Sequence, residues 1–192
     1  MAVEKVALIG IGNIMFHDEG LGAYLVKYIE TNYETHPNLT IVEGGTLGFT
    51  LMTYYQEYDK IIVVGTGSKE GSVGTIVSEN ADQVMANESA TRKTANEVEI
   101  AMMIEICSFH EDMGEVQLIT MVPYDIIEVK NAMTPETLKH MPNLVHKVVE
   151  ALKNSGIVLQ RKKENEVTFE TIIQTCANPR ISDFHDMTAL IQ

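Results

Sequence analysis

GIGNIMFHDEG, residues 10–20, decides how the first third of the chain folds. It closes the apolar run VALIGIG (residues 6–12), whose near-continuous hydrophobicity predicts a strand buried on both faces that ends in a glycine turn. The opening is that of a nucleotide-binding strand-turn-helix unit, but the continuation is not. A dinucleotide fingerprint places a third glycine where Met15 stands. The loop then carries His17, Asp18 and Glu19 and no lysine or arginine, so a phosphate at the start of the next helix would meet like charge. Two readings of the acidic pair stay open from the residues alone. Asp18 and Glu19 cap the helix that follows. Alternatively, Glu19 offers a carboxylate to a hard cation, nickel or zinc, with His17 two residues away.

Outward from this loop the pattern alternates strand and helix. EGLGAYLVKYIETNY (residues 19–33) has Leu21, Leu25, Tyr28 and Ile29 at helical spacing. LTIVEGG (39–45) predicts a second strand and glycine turn, FTLMTYYQEY (49–58) a helix, and IIVVGTG (61–67) a strongly β-branched strand. GSVGTIVSEN (71–80) predicts a short strand entered through a turn. A helix over about residues 94–109 is expected to turn Val98, Met102 and Ile106 to the core. VQLITMVPY (116–124) predicts a strand stopped by Pro123. Thr134 at the N-cap and Pro135 at N1 predict one long helix with Leu138, Leu144, Val148 and Leu152 inside, ended by Asn154-Ser155-Gly156. The order implies a three-layer α/β/α domain over residues 1–156 with a mostly parallel five-stranded sheet, followed by a polar C-terminal extension over 157–192. Ligands of such sheets gather at the carboxyl ends of the strands. That rim holds the loop at 13–19 and the turns at 43–48 and 65–71.

Of the 192 residues 45% are apolar, enough for one globular core. Acidic side chains number 27 against 14 basic, a formal charge of −13, which disfavours nucleic acid and anionic membranes as partners. No apolar run approaches the ~20 residues of a membrane span, and the N-terminus has too short and mixed a pattern for a signal peptide. Cys107 and Cys176 stand far apart in no ligand-like spacing, so a reducing cytoplasm is the expected compartment.

GIGNIMFHDEGLG resembles the opening motif of the hydrogenase maturation endopeptidases, G-x-GN-x-L-x-x-DEG-x-G. EGGTLG (43–48) is similar to the family's DGGT-x-G, and VVGTGSKEGSVGT (63–75) to its third-strand loop ending in PGT. MVPYDIIEVKNAMTPETLKHM (121–141) is similar to its late strand, valine-proline turn and T/S-P helix start. Four motifs in order, over about residues 6–156, carry the resemblance. It implies removal of a C-terminal extension from the large-subunit precursor of a nickel-iron hydrogenase, with nickel presented by the precursor rather than held by the free enzyme. It implies three ligands to that nickel: a first-loop glutamate, an aspartate ending the third strand and a histidine opening the next helix. An acidic residue in the GGT turn is implied as an assisting group.

The glutamate carries over onto Glu19 and the acidic turn residue onto Glu43. The aspartate position falls on Val64 or Gly65 and the histidine position on Asn96, neither a comparable donor. His17, Glu70, Glu97, His110, Cys176 and His185 are candidate substitutes. Gly44, Gly45 and Thr46, with Gly65, allow close backbone approach by a substrate peptide. The resemblance thus leaves two expectations, a nickel-dependent processing enzyme or a non-catalytic relative that binds the large subunit as an assembly factor.

Overall fold

The computed structural model describes residues 4–46, 48–86, 95–109, 113–163 and 166–178. Strand β1 (Val6–Ile11) is buried at every position. A 3₁₀ turn (His17–Gly20) then leads into α1 (Leu21–Asn32). β2 (Leu39–Gly45), a second 3₁₀ turn (Gly48–Leu51) with α2 (Met52–Glu57), and β3 (Lys60–Thr66) follow. Next come β4 (Ile76–Asn80), α3 (Ala81–Ala86), α4 (Ala95–Ser108) and β5 (Glu115–Met121). The described chain ends with α5 (Pro135–Leu138), α6 (Met141–Asn154) and α7 (Phe169–Ala177).

The sheet has five strands in the order β2-β1-β3-β5-β4. All pairings are parallel except β4 with β5. The alternation of side chains along β1, β3 and β5 sends one set of residues to each face. Leu8, Ile62, Val64 and Ile119 pack with α1, α6 and α7, whereas Ile9, Ile61, Val63 and Leu118 pack with α2, α3 and α4. The three-layer, mostly parallel architecture expected from the sequence is therefore the one observed. Glycines set the closeness of α1 to the sheet. A Cβ on Gly10 would lie 2.2 Å from the Gly22 carbonyl oxygen, and one on Gly22 would lie 2.3 Å from those of Ile11 and Val64.

Two of the expected helices differ from the sequence pattern, and α3 and α7 are additional to it. The helix expected over 134–154 is two. Thr134 caps α5 through a bond from the Thr137 amide, and the chain restarts as α6 beyond His140. Pro142 in the first turn of α6 has no N–H to give to a preceding carbonyl, and its ring crowds the residue before it. In α4, Val98, Met102 and Ile106 are exposed, and Ile100, Ala101, Met103, Ile104 and Cys107 face the core. AMMIEIC is apolar almost all round, so periodicity alone does not single out a face.

Beyond Gly156 the chain stays fastened to α1. Ile157, Phe169, Ile172 and Ile173 join the same core as α1 and α6. The Phe169 ring stacks on Tyr28 with centroids 4.2 Å apart. Asn32 holds the segment leading into α7 through the oxygen and nitrogen of its side-chain amide, accepting from the Val167 amide and donating to its carbonyl. Among the described residues, no helix is long and apolar enough to cross a membrane.

Candidate functional site at the strand ends

The first loop doubles back on its own glycine. Gly12 has φ +142, and a Cβ there would lie 1.9 Å from the Glu19 carbonyl oxygen. Its amide donates to the Gly45 carbonyl at 2.9 Å, joining the first loop to the GGT turn. On its other side the loop pairs with the segment after β5: Lys130 donates to the Met15 carbonyl, and His17 to that of Lys130.

Asp18 is the anchor of this arrangement, and it is not the helix cap that the sequence admits. Gly20 occupies the N-cap of α1 and gives it no side-chain bond. The Asp18 carboxylate is fully buried instead and accepts from the segment that follows β5. Thr134 gives its amide and hydroxyl at 2.7 Å each, and Thr137 its hydroxyl at 2.6 Å. The amides of Tyr124 and Asp125 donate at 3.1 and 3.0 Å. A charge without water survives when its lone pairs are filled in this way. The two threonines of the TPET stretch thus serve the first loop as well as their own helix. Nothing in sequence spacing links residue 18 to residues 134 and 137.

Glu19, next in the turn, is half-buried, and this burial pushes its carboxyl above the ordinary glutamate value. It stands on a turn made rigid by Asp18. Gly44 is buried, Gly45 adopts φ +52 and Thr46 is exposed beside it. Gly45 and Thr46 line a crevice with Ile11, Leu51 and, from α4, Glu99 and Ile100. Glu43 is exposed on β2, and its charge contributes to the raised pKa values of Tyr24 and Cys176, in both of which burial is the larger cause. Cys176 comes from α7, so the structure places it on the α1 side of the rim near Glu43.

At the end of β3, the Val64 side chain is fully buried in the core shared by α1 and α6. A Cβ on Gly65 would lie 2.7 Å from the Ile11 side chain. Neither position offers a metal donor. Asn96 falls in the first turn of α4 by its backbone, and its side chain lies outside the described residues, as do His110 and His185. Glu97 is engaged with the third-strand loop, accepting from the Ser68 amide at 2.9 Å and its hydroxyl at 2.6 Å. Glu70 is exposed in that loop. At the end of β3 the Thr66 hydroxyl is buried and has no hydrogen-bond partner among the described residues.

His17 turns toward the segment after β5. Its Nδ1 lies 3.0 Å from Asp125 Oδ2 and 3.6 Å from Glu128 Oε2. The bond from His17, with those from the Ile127 and Glu128 amides, holds the Asp125 carboxyl below the usual aspartate range.

Known proteins resemble this chain in sequence and in architecture. The chain is 26% identical over 161 residues to the hydrogenase expression/formation protein HupD of Rhizobium leguminosarum bv. viciae, covering 83% of this chain and 80% of that one. It is 23% identical over 155 residues to the hydrogenase 2 maturation protease of Escherichia coli K12, covering 80% and 93%. Among solved structures, it is similar to the hydrogenase maturating endopeptidase HybD of E. coli. That similarity has a TM-score of 0.75 at 22% identity, over 84% of this chain and 99% of the other. The model of the hydrogenase maturation protease family, HycI, matches residues 23–151, and the chain belongs to that family.

Proposed function

We propose that this protein matures a nickel-iron hydrogenase by removing the C-terminal extension of its large-subunit precursor once nickel is in place. Membership of the maturation protease family supports the process. The observation that carries the site assignment is the construction around Glu19: a half-buried carboxylate on a turn locked by Asp18, joined through Gly12 to the GGT turn. In this reading Glu19 contacts the nickel of the precursor, Glu43 assists, and Gly44, Gly45 and Thr46 receive the extended tail. The tail has no side chain to displace at the two glycines.

A second reading is favoured by one observation. The third-strand end, with Val64 in the core and Gly65 against Ile11, supplies no carboxylate to a metal. On that reading the protein binds the precursor as a non-catalytic assembly factor.

One experiment separates the two. Purified protein is incubated with nickel-loaded and nickel-free precursor, and the precursor mass is followed. Loss of a C-terminal fragment only with nickel, abolished by Glu19→Gln, is the expected result. An intact nickel-loaded precursor that co-purifies with the protein overturns hydrolysis and leaves the assembly role. An intact precursor that does not co-purify overturns both.

A further inference from the structure

We propose that His17, Asp125 and Glu128 form a binding site for a divalent transition-metal cation, one that joins the first loop to the segment after β5. One donor atom from each of the three residues lies within 4.8 Å of the others. A metal about 2.0–2.2 Å from imidazole nitrogen and carboxylate oxygen holds neighbouring donors about 3.0–4.2 Å apart. The separations of 3.0 Å from His17 Nδ1 to Asp125 and 3.6 Å to Glu128 fall in that interval. The ion takes the place of the hydrogen bond between Nδ1 and Oδ2: the neutral imidazole binds it through Nδ1 with its proton on Nε2, and both carboxylates stay charged.

Both sides of the site are fixed before any ion arrives. His17 is buried and held at φ 32 by backbone bonds on each side, its own amide to Lys130 and that of Asp18 to Asp125. Asp125 Oδ1 accepts from the Ile127 amide at 2.8 Å, which leaves Oδ2 toward the imidazole. The donors also grade from buried to open, since the Glu128 side chain is 61% exposed and provides a path from solvent. A mixed nitrogen and oxygen set with one imidazole suits zinc, iron, cobalt or nickel. Calcium takes six or more oxygens and magnesium a near-regular octahedron of them. The inference does not depend on the proposed proteolysis.

Zinc serves as the probe, in equilibrium dialysis of the full chain. The expected result is one ion per chain at micromolar free zinc, not displaced by excess calcium or magnesium. Its X-ray absorption edge should report imidazole and oxygen donors without sulfur, which excludes Cys107 and Cys176 as the source. His17→Asn, chosen because asparagine tolerates the left-handed backbone, and Glu128→Gln should each weaken binding by roughly tenfold or more. His146→Gln, at an exposed position on α6, should leave it unchanged. Absence of binding at millimolar zinc, binding unchanged by Glu128→Gln, or sulfur in the coordination shell overturns the site. If His17→Asn does not fold, Glu128→Gln still decides, because its side chain is largely exposed.

Discussion

The loop after β1 and the loop after β3 end on the same rim, yet they are built in opposite ways. The first is closed by a buried carboxylate whose acceptor capacity is filled by two hydroxyls and three amides, all from the segment after β5. The second is held by Ser68 on Glu97 and by the Lys69–Glu79 ion pair, and it carries a buried hydroxyl with no partner among the described residues. In the first, polar groups are organised around a fixed charge. In the second, apolar β-branched residues run to the rim, and the carboxylates that hold the loop, Glu97 and Glu79, come from other elements and are only partly buried. The comparison separates two things that the motif order presents together: a first loop locked in place beside Glu19, and a third-strand end whose last residues, Val64 and Gly65, carry no carboxylate.

The sharpest way to break that comparison is to remove its anchor. Asp18→Ala leaves several buried donors unsatisfied and should destabilise the fold by about 3–5 kcal/mol. The denaturant midpoint measures it, and a loss under about 1 kcal/mol would mean that the first loop is no better held than the third-strand loop. Gly12→Ala adds a Cβ against the Glu19 carbonyl at φ +142, and should cost about 3 kcal/mol. A variant as stable as the parent would show that the loop relaxes, and with it the position of Glu19. In the third-strand loop, Ser68→Ala should cost only about 1–2 kcal/mol, the worth of bonds to a charged acceptor when the amide bond is kept. A loss as large as that of Asp18→Ala would erase the contrast.

Thr66→Val goes the other way. It exchanges the unpartnered buried hydroxyl for a methyl group of similar shape and should raise stability by about 1 kcal/mol, read as a rise in melting temperature. A fall would show that the hydroxyl is satisfied in solution. Smallest of all, Lys69→Met should change stability by about 0.5 kcal/mol at low salt and less at high salt, since the lysine is partly exposed. An effect that does not depend on salt would assign the contribution to packing of the aliphatic stem.

Much of the fold is legible in the sequence because its core strands are continuous apolar runs flanked by glycine or proline. VALIGIG and IIVVGTG need no partner information to be read as buried parallel strands. Legibility fails where geometry depends on residues far away. α4 is apolar on too many sides for periodicity to choose between Val98 and Ile100. The restart at Pro142 is a local signal, overridden in the sequence reading by the strong Thr-Pro start at 134. The packing of α7 rests on Tyr28 and Phe169, separated by most of the chain. At the site, Glu19 stands out in the loop as an acid beside a glycine turn. The role of Asp18 does not, because a carboxylate that caps a helix and one that ties residue 18 to residues 134 and 137 look alike in one dimension.

The antiparallel strand β4 has a consequence for the order of assembly during synthesis. Chains leave the ribosome N-terminus first, so β4 is made before β5. Yet among the described residues β5 is its one partner in the sheet, and it lies between β4 and β3. A nascent chain can therefore pair β1, β2 and β3 as soon as they emerge, while residues 76–80 wait, unpaired on both edges, until residues 115–121 arrive. For that interval the growing protein carries an orphan strand that chaperones can shield and that neighbouring chains can capture.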